Sequence, residues 1–193
     1  MMVYYGDEEF GYKRIRERRR LENIDYSQPA KSAEQALESL MATCARCERC
    51  ISDVQRSLYR WRMRPEDYEP IIARLVRERF VDEGRYARAY VRDKANGSGW
   101  GRRKIELGLR AKGIPKEIID EALTEIEPER QADRLETMLY RRLVRERDKA
   151  RSAYDLRTKL FRWAVGRGYD FAEVQETLER IMAEDYEPET ESV

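Results

Sequence analysis

The sequence Leu-Tyr-Arg-Trp at residues 58–61 reappears as Leu-Phe-Arg-Trp at residues 160–163. Midway between these two segments, residues 109–112 read Leu-Arg-Ala-Lys, which keeps the leucine and lacks the aromatic residues. One helical unit repeated three times along the chain explains this even spacing. Because such repeats usually present an extended surface to a partner, the pattern predicts a binding protein rather than a catalytic pocket.

Apolar residues keep their phase when the three units are overlaid. At a constant spacing, Val54 and Leu58 correspond to Ile105 and Leu109, and these in turn correspond to Leu156 and Leu160. Further along, Met63 corresponds to Ile114 at the same spacing. In the third unit, the equivalent residue is Tyr169, which lies four residues beyond the position that this spacing gives. Four residues are about one helical turn. We therefore expect the third unit to contain a longer helix whose apolar face is not rotated.

The composition favours charged helices over narrow apolar stripes. Of 193 residues, 40% are charged and 41% hydrophobic, and the net charge is +1. Intrinsic disorder is excluded, because disordered chains lack this much aliphatic and aromatic content. No apolar run approaches the roughly 18 residues of a membrane span, so no membrane association is expected. The chain has three cysteines, and with no recognisable targeting segment they favour a reducing, cytoplasmic location.

These patterns predict an all-α protein of three tandem three-helix repeats, similar to helix-turn-helix units, that form an elongated curved array. The predicted repeats span residues 33–81, 82–127 and 128–183. Residues 1–31 are predicted to form a basic arm, irregular or partly helical, and residues 184–193 an acidic tail. The two ends are either solvated, mobile segments or a phosphate-binding arm and a tail that competes with phosphates.

Helix caps and buried faces can be predicted inside the repeats. Asp82 is placed to cap one helix, Gly113 to close another, and Ser152 with Asp155 to form a capping box. Two sets of apolar residues are predicted to be buried. They are Ile71, Ile72, Leu75 and Val76 in the first repeat and Tyr86, Ile105, Leu109, Ile114, Ile119 and Leu123 in the second.

Cys44, Cys47 and Cys50 form a C-x2-C-x2-C run, a spacing that iron–sulfur ligands use. The chain has no fourth cysteine and no histidine. Cys44 also fits the apolar face of the first helix, and Cys50 lies where a helix cap is expected. We therefore expect structural roles for these thiols and no metal or other cofactor.

The glycine-rich segment at residues 97–101 leads into a helix that begins with Arg102, Arg103 and Lys104. Three cations at a helix N-terminus oppose the helix dipole, and an anionic partner docked there would offset this cost. The alternative is a flexible turn between helices, with Trp100 as its anchor. Both interpretations are consistent with the sequence.

Basic and aromatic residues alternate in the middle repeat. Arg85, Arg88 and Arg92 share one helix face, with Tyr86 and Tyr90 on the same helix. Such a surface can hold a phosphate backbone or an acidic protein groove. Local carboxylates favour the alternative of a solvated face covered with salt bridges. The absence of histidine removes the usual general base, and no nucleophile motif is present, so no enzymatic activity is expected.

The middle repeat resembles the RecX family. The resemblance lies in Phe-Val-Asp-Glu-Gly-Arg-Tyr-Ala-Arg-Ala-Tyr-Val at residues 80–91, Gly-Trp-Gly-Arg-Arg-Lys-Ile at 99–105 and Leu-Arg-Ala-Lys-Gly-Ile at 109–114. In the first repeat, Arg-Cys-Ile-Ser-Asp-Val at 49–54 stands where the family has Arg-Ser-x-x-Glu-Leu. Cysteine there replaces the capping serine, which predicts a weaker cap. The resemblance covers residues 33–183.

The resemblance implies a non-enzymatic regulator of RecA, acting in DNA recombination, repair and the SOS response. RecX-like proteins lie in the groove of the RecA filament on single-stranded DNA and suppress its ATPase and strand exchange. We expect the same partner here, weak direct DNA binding and a monomer. Local charge and the matching motifs together select eight residues as filament contacts. They are Arg85, Arg92, Lys94, Arg102, Arg103, Lys104, Arg110 and Lys112.

Two other functions fit the same residues. A direct DNA-binding helical repeat could act without a recombinase, because three-helix units resemble helix-turn-helix domains. Its affinity should fall steeply as salt rises. A scaffold that binds some other helical protein is the third possibility.

Overall fold

The structure, a computed structural model, describes residues 27–184, apart from the side chain of Glu184. The predicted basic arm and acidic tail lie almost entirely outside the described residues. Nine α-helices and no strand occur between residues 27 and 184. The prediction of an all-α fold is therefore confirmed. In the same part of the chain, none of the helices has the length and apolar character needed to span a bilayer.

The helices follow one another with short connections. A 3-10 turn at Pro65–Asp67 precedes the third helix, and a π turn at Asp93–Gly97 follows the fourth. The helices are α1 Ala33–Cys44, α2 Ile51–Arg60, α3 Tyr68–Arg77, α4 Glu83–Arg92, α5 Arg102–Ala111, α6 Lys116–Leu123, α7 Pro128–Glu146, α8 Ala153–Gly166 and α9 Phe171–Glu184. Pro128 is the first residue of α7, where its missing N–H is not needed.

The described residues form two compact units that divide after Tyr86, and the boundary falls within α4. In the first unit, α1, α2 and α3 enclose a core that includes Leu37, Leu58 and Leu75. In the second, a core formed by α7, α8 and α9 includes Leu139 and Leu160. The boundaries that we assign to the three sequence repeats remain a prediction.

Residues that correspond in the sequence repeats are buried in each repeat. The equivalent residues Leu58, Leu109 and Leu160 have no exposed surface. Helix α8 has 14 residues, whereas α2 and α5 have 10 each. The difference is the one additional turn predicted from the sequence, and it lets the third repeat keep the same buried face.

All three of these helices end in the same hydrogen-bonded turn. Arg62, Gly113 and Gly168 occupy equivalent positions after α2, α5 and α8, and each has a left-handed backbone, with φ of 56°, 79° and 89°. The next residue along is buried, and its N–H donates back into the helix: Met63 to Leu58 at 3.1 Å and Ile114 to Leu109 at 3.2 Å. This is the Schellman arrangement, in which glycine avoids the steric cost of positive φ.

The predicted caps are largely confirmed. Asp82 Oδ1 accepts a 2.8 Å hydrogen bond from the Arg85 N–H at the start of α4. Ser152 Oγ accepts from the Asp155 N–H at 3.1 Å. Asp155 does not complete the box, because its carboxylate accepts from the Arg151 N–H instead of the Ser152 N–H. Cys50 lies at the N-cap of α2 but makes no capping hydrogen bond, in line with the weaker cap expected there.

The predicted core is confirmed in the middle repeat and partly wrong in the first. The six residues assigned to the middle repeat, from Tyr86 to Leu123, are all buried. In α3, Ile71 and Leu75 are buried and Ile72 is half-buried. Val76 is 45% exposed, so its assignment to the core was wrong. It follows Leu75 by one position, about 100° around the helix, and so lies beyond the buried stripe.

Candidate interaction surface

The N-terminus of α5 is covered by the turn between α8 and α9. Gly101 caps the helix, and its N–H donates to the Arg167 carbonyl oxygen at 2.8 Å. The Arg103 N–H donates to the Gly168 carbonyl oxygen at 3.1 Å. Backbone carbonyl groups thus occupy the place of the anionic partner that was one of the two alternative interpretations of this segment. The side chains of Arg102, Arg103 and Lys104 remain candidates for partner binding, but an anion at this helix N-terminus is not supported.

Trp100 organises two of the predicted contact residues. The Lys104 ammonium lies 4.7 Å from the Trp100 ring centroid, and the Lys94 ammonium lies 5.5 Å from it. Lys94 also lies 5.5 Å from the Tyr90 ring centroid. Each ammonium has a polar contact as well, Lys94 with Asp93 at 2.7 Å and Lys104 with the Gly166 carbonyl oxygen at 3.4 Å. Such cation–π contacts contribute about 0.5–2 kcal/mol, and they fix both lysines beside the indole.

Ion pairs join α4 to α6 across the second unit. Arg88 lies 3.4 Å from Glu121, and Arg92 lies 3.4 Å from Glu125. Arg92 and Glu121 are largely exposed, and Arg88 and Glu125 are about one-third exposed. Exposed pairs of this kind contribute about 0–1 kcal/mol to stability. The face therefore carries paired charges, as the alternative interpretation proposed, but their partners come from α6 rather than from neighbouring positions on α4.

Arg85 lies in the first unit and holds a half-buried carboxylate. Its Nε donates to Glu48 Oε1 at 2.6 Å, and one Nη donates to the Arg79 carbonyl oxygen at 3.1 Å. The other carboxylate oxygen of Glu48 is buried without a hydrogen-bond partner. The hydrogen bond that Arg85 donates to Glu48 raises the pKa of Arg85 above its usual value, so the arginine stays charged. Arg85 is thus a structural residue whatever its part in binding.

The remaining predicted contact residues also have intramolecular contacts. Arg102 donates to the Leu123 carbonyl oxygen at 3.0 Å, and Arg103 pairs with Asp170. Arg110 pairs with Glu106 at 2.5 Å, one turn earlier on α5. Lys112 is half-buried at the C-terminal end of the same helix.

The eight predicted residues do not form one cluster. Arg85 belongs to the first unit and the other seven to the second. Lys94 and Lys104 meet at Trp100, beside the start of α5. Arg110, in contrast, lies about 12 Å further along that helix, given its rise of 1.5 Å per residue. Within the second unit, the predicted charges therefore extend from the end of α4 along α5 rather than around one point.

A second group of arginines was missed in the sequence. Arg130, Arg134 and Arg141 of α7, together with Arg167 at the end of α8, line a cleft beside the turn at residues 96–99. The signal was present in α7, because positions separated by four and seven residues lie on one helix face. Arg167 could not be assigned to it, since its place depends on how α8 ends.

The three cysteines differ in exposure. Cys44 and Cys50 are buried and Cys47 is exposed. Burial raises the pKa of the Cys44 thiol, which keeps it protonated and unreactive at neutral pH. Cys50 Sγ lies 3.2 Å from Ser52 Oγ and 3.3 Å from Asp53 Oδ2. Residues 27–184 contain no group of three or more His, Cys, Asp or Glu residues placed to hold a metal ion.

These features define the class of protein: an all-α helical-repeat protein with charged residues paired along its surface. Residues 82–123 match the family model described as RecX, second three-helix domain. This match supports placing the chain in the RecX family.

Relatives and solved structures agree with this assignment. The chain is 29% identical over 111 residues to a regulatory protein RecX of Clostridium beijerinckii, a match covering 58% of this chain and 51% of that protein. A regulatory protein RecX of Clostridium acetobutylicum is 32% identical over 133 residues, covering 65% and 61%. The chain thus spans about half to three-fifths of the length of these curated relatives.

The fold resembles two solved structures. A crystal structure of regulatory protein RecX aligns with a TM-score of 0.69 and 26% identity over 77% of this chain and 73% of that one. RecX from Lactobacillus salivarius aligns with a TM-score of 0.65 over 78% and 97%, and at 20% identity this second likeness concerns the fold alone.

Proposed function

We propose that this protein regulates RecA: it binds the filament that RecA forms on single-stranded DNA and inhibits the ATPase, recombination and repair activities of that filament. One observation carries the proposal. Residues 82–123, which match the RecX domain model, are also the segment in which exposed arginines of α4 and α5 are held in ion pairs. The relatives named regulatory protein RecX support a regulatory role.

Exposed ion pairs suit contact with a charged protein surface. Each pair, such as Arg92 with Glu125, stabilises the fold by about 0–1 kcal/mol, so exchanging its carboxylate for one on a partner costs little. The arginine and the released carboxylate can both find opposite charges on the partner. A filament repeats the same subunit surface, and several weak contacts made at once give strong overall binding.

We further propose that the protein acts as a cytoplasmic monomer with neither a cofactor nor a reaction of its own. In this role the number of bound molecules, rather than turnover, sets the effect on RecA. Inhibition should therefore depend on the ratio of this protein to the recombinase.

Direct DNA binding without a recombinase is the second candidate. It is favoured by the arginines at the cleft, because Arg134, Arg141 and Arg167 have no carboxylate partner among residues 27–184. DNA binding of this kind releases counterions, so its affinity should fall by orders of magnitude between about 50 and 200 mM salt. Contact with a protein surface should weaken less.

Sedimentation of filaments separates the two candidates. RecA is assembled on single-stranded DNA with a non-hydrolysable ATP analogue, and the fraction of this protein in the pellet is compared with that on bare DNA. At about 200 mM salt we expect retention on the filament and loss from the bare DNA. Equal binding to the two, with the same salt dependence, would instead favour the DNA-binding candidate.

A pair of variants tests whether the predicted residues make the contact. Arg92→Gln removes an exposed charge from the predicted set, and Arg162→Gln removes one from an exposed position on α8 that was not predicted. We expect Arg92→Gln to weaken filament binding about threefold to tenfold, the loss of one surface charge contact, and Arg162→Gln to leave it nearly unchanged. Identical losses would show that overall charge, rather than this face, determines binding.

A further inference from the structure

A cleft of about 500 Å³ lies in the second unit, between α7 and the turn that follows α4. Four arginines line it: Arg130, Arg134, Arg141 and Arg167. Asp133 is the one carboxylate among its described lining residues. Ligand sites commonly have volumes of about 300–1,000 Å³, so the space is sufficient for a small anion or a segment of a larger one.

Two of these arginines are held by neutral acceptors. Arg134 donates from one Nη to the Ala95 carbonyl oxygen at 2.5 Å and from the other to Asn96 Oδ1 at 3.0 Å. Arg167 donates to the Ser98 carbonyl oxygen at 2.7 Å, and its guanidinium lies 4.9 Å from the Trp163 ring centroid. These contacts orient the two guanidinium groups without neutralising them.

The contrast with the α4–α6 face decides what the cleft can bind. There, Arg88 and Arg92 face the carboxylates of Glu121 and Glu125. At the cleft, only Arg130 has a carboxylate partner among the described residues, Glu127 at 2.8 Å. A guanidinium has five N–H donors, and the observed bonds leave several of them available on Arg134 and Arg167.

Arg141 supplies a third charge that no contact holds in place. It forms no hydrogen bond or ion pair with any residue between 27 and 184. It follows Arg134 by seven residues, which is about two turns, so the two side chains leave the same face of α7. A long side chain without an intramolecular partner can move onto a bound ligand at little cost.

The turn is fitted closely to α7. Gly99 has φ of +62°, and a Cβ atom on it would lie 2.7 Å from Met138 Sδ. The left-handed φ favours glycine here, and the end of the Met138 side chain would have to shift to admit a Cβ atom. The close approach is what places Asn96 and the Ser98 carbonyl group where they can hold the two arginines.

We propose that this cleft binds a phosphate group, with Arg134 and Arg167 as fixed donors and Arg141 as the side chain that closes over it. Phosphate offers several acceptor oxygens, which match the paired N–H groups of guanidinium in two-point contacts. The phosphate comes either from the backbone of a single-stranded nucleic acid or from a free nucleotide. Binding here does not require RecA, so it can be tested separately from the proposed function.

Matched variants of α7 test the site. Arg141→Gln removes the cleft charge that has no hydrogen bond or ion pair with the described residues. Arg145→Gln removes an equal charge from an exposed position one turn further along α7, outside the cleft. The dissociation constants of the full chain and both variants are measured for inorganic pyrophosphate, for ADP and for an oligothymidine of about 15 nucleotides. We expect Arg141→Gln to weaken binding about tenfold and Arg145→Gln less than about twofold.

The three ligands distinguish the sources of the phosphate. A loss confined to the oligonucleotide identifies a nucleic-acid backbone, and a loss that includes pyrophosphate and ADP identifies a free nucleotide; both support the site. Equal losses in the two variants, or no loss with any ligand, would overturn it. NMR provides a second readout that does not depend on variants: pyrophosphate or the oligothymidine should shift the Gly97 and Gly99 amide signals in a saturable way. Signals unchanged by both ligands would contradict the proposal.

Discussion

Gly101 and Gly168 meet backbone to backbone. A methyl group added to Gly101 would overlap the carbonyl group of Gly168, and one added to Gly168 would overlap the backbone of Lys104. The contact brings the N-terminus of α5 against the turn between α8 and α9, where the Gly101 N–H donates to the backbone carbonyl oxygen of Arg167. It also fixes the position from which the Arg167 side chain extends, and this side chain forms one wall of the arginine cleft.

Gly101→Ala should lower the free energy of unfolding by about 1–3 kcal/mol, because backbone atoms on both sides must move to admit the methyl group. Urea denaturation of the full chain measures this change. Gly166→Ala is the control, since a Cβ atom at that position in α8 meets nothing within 4 Å. It should leave stability unchanged or raise it by up to about 1 kcal/mol. If Gly101→Ala behaves like this control, the contact is not as close as described.

The left-handed turns after α2 and α5 give opposite expectations for two substitutions. Gly113→Ala meets no other atoms, so its cost is backbone strain alone, about 1 kcal/mol. Arg62 already bears such strain, with φ of 56°, and Arg62→Gly should stabilise the protein by about 0.5–1 kcal/mol.

Arg60→Gly, at the last residue of α2, where φ is not positive, is the control for the second change. There glycine should cost up to about 1 kcal/mol. Thermal unfolding of the three variants checks the signs. A loss of stability in Arg62→Gly would contradict the shared turn geometry.

The ion pair between Arg85 and Glu48 should couple more strongly than a surface pair. Removing Arg85 leaves the half-buried Glu48 carboxylate without its donor, so a double-mutant cycle with Arg85→Gln and Glu48→Gln should give about 1 kcal/mol. The pair between Arg110 and Glu106, one turn apart on α5, is the comparison and should give about 0.3–0.5 kcal/mol. Equal coupling energies would mean that the partial burial of Glu48 has no energetic consequence.

Tyr169 should make the protein less stable in alkali. Its side chain is buried, and burial raises its pKa above the ordinary value of 10.0. Well below pH 10 the hydroxyl is neutral in both folded and unfolded chains. As the pH rises further, the unfolded chain ionises first, so stability decreases through this range.

Tyr169→Phe should remove that part of the decrease, as measured by denaturation at a series of pH values between about 8 and 11. Tyr154→Phe, which changes an 80% exposed ring, should leave the profile unchanged. An unaltered profile in Tyr169→Phe would show that the hydroxyl is not protected from solvent.

The repeat structure could be predicted because it follows from the local periodicity of the apolar residues. The spacing of Leu58, Leu109 and Leu160 identified the buried face, and the four additional residues before Tyr169 identified the longer α8. Val76 was assigned wrongly because a helical period marks a stripe but not its width. Whether a residue at the edge of the stripe is buried depends on the neighbouring helix.

The candidate surface was less predictable, since its contacts join residues that are distant in sequence. Glu48 is 37 residues from Arg85, and Glu121 is 33 residues from Arg88. Local charge counts could not assign these pairs. The same holds for Arg167, which is 69 residues from Ser98, so the cleft becomes visible only in three dimensions.

The proposal that this protein restrains RecA is tested most directly by the ATPase rate of RecA on single-stranded DNA. With this protein titrated in, we predict a progressive fall in the rate. Inhibition well below one copy per recombinase indicates capping of filament ends, and inhibition near equal amounts indicates filling of the groove. An unchanged rate in the presence of an excess of this protein, with the cognate recombinase, would contradict the account.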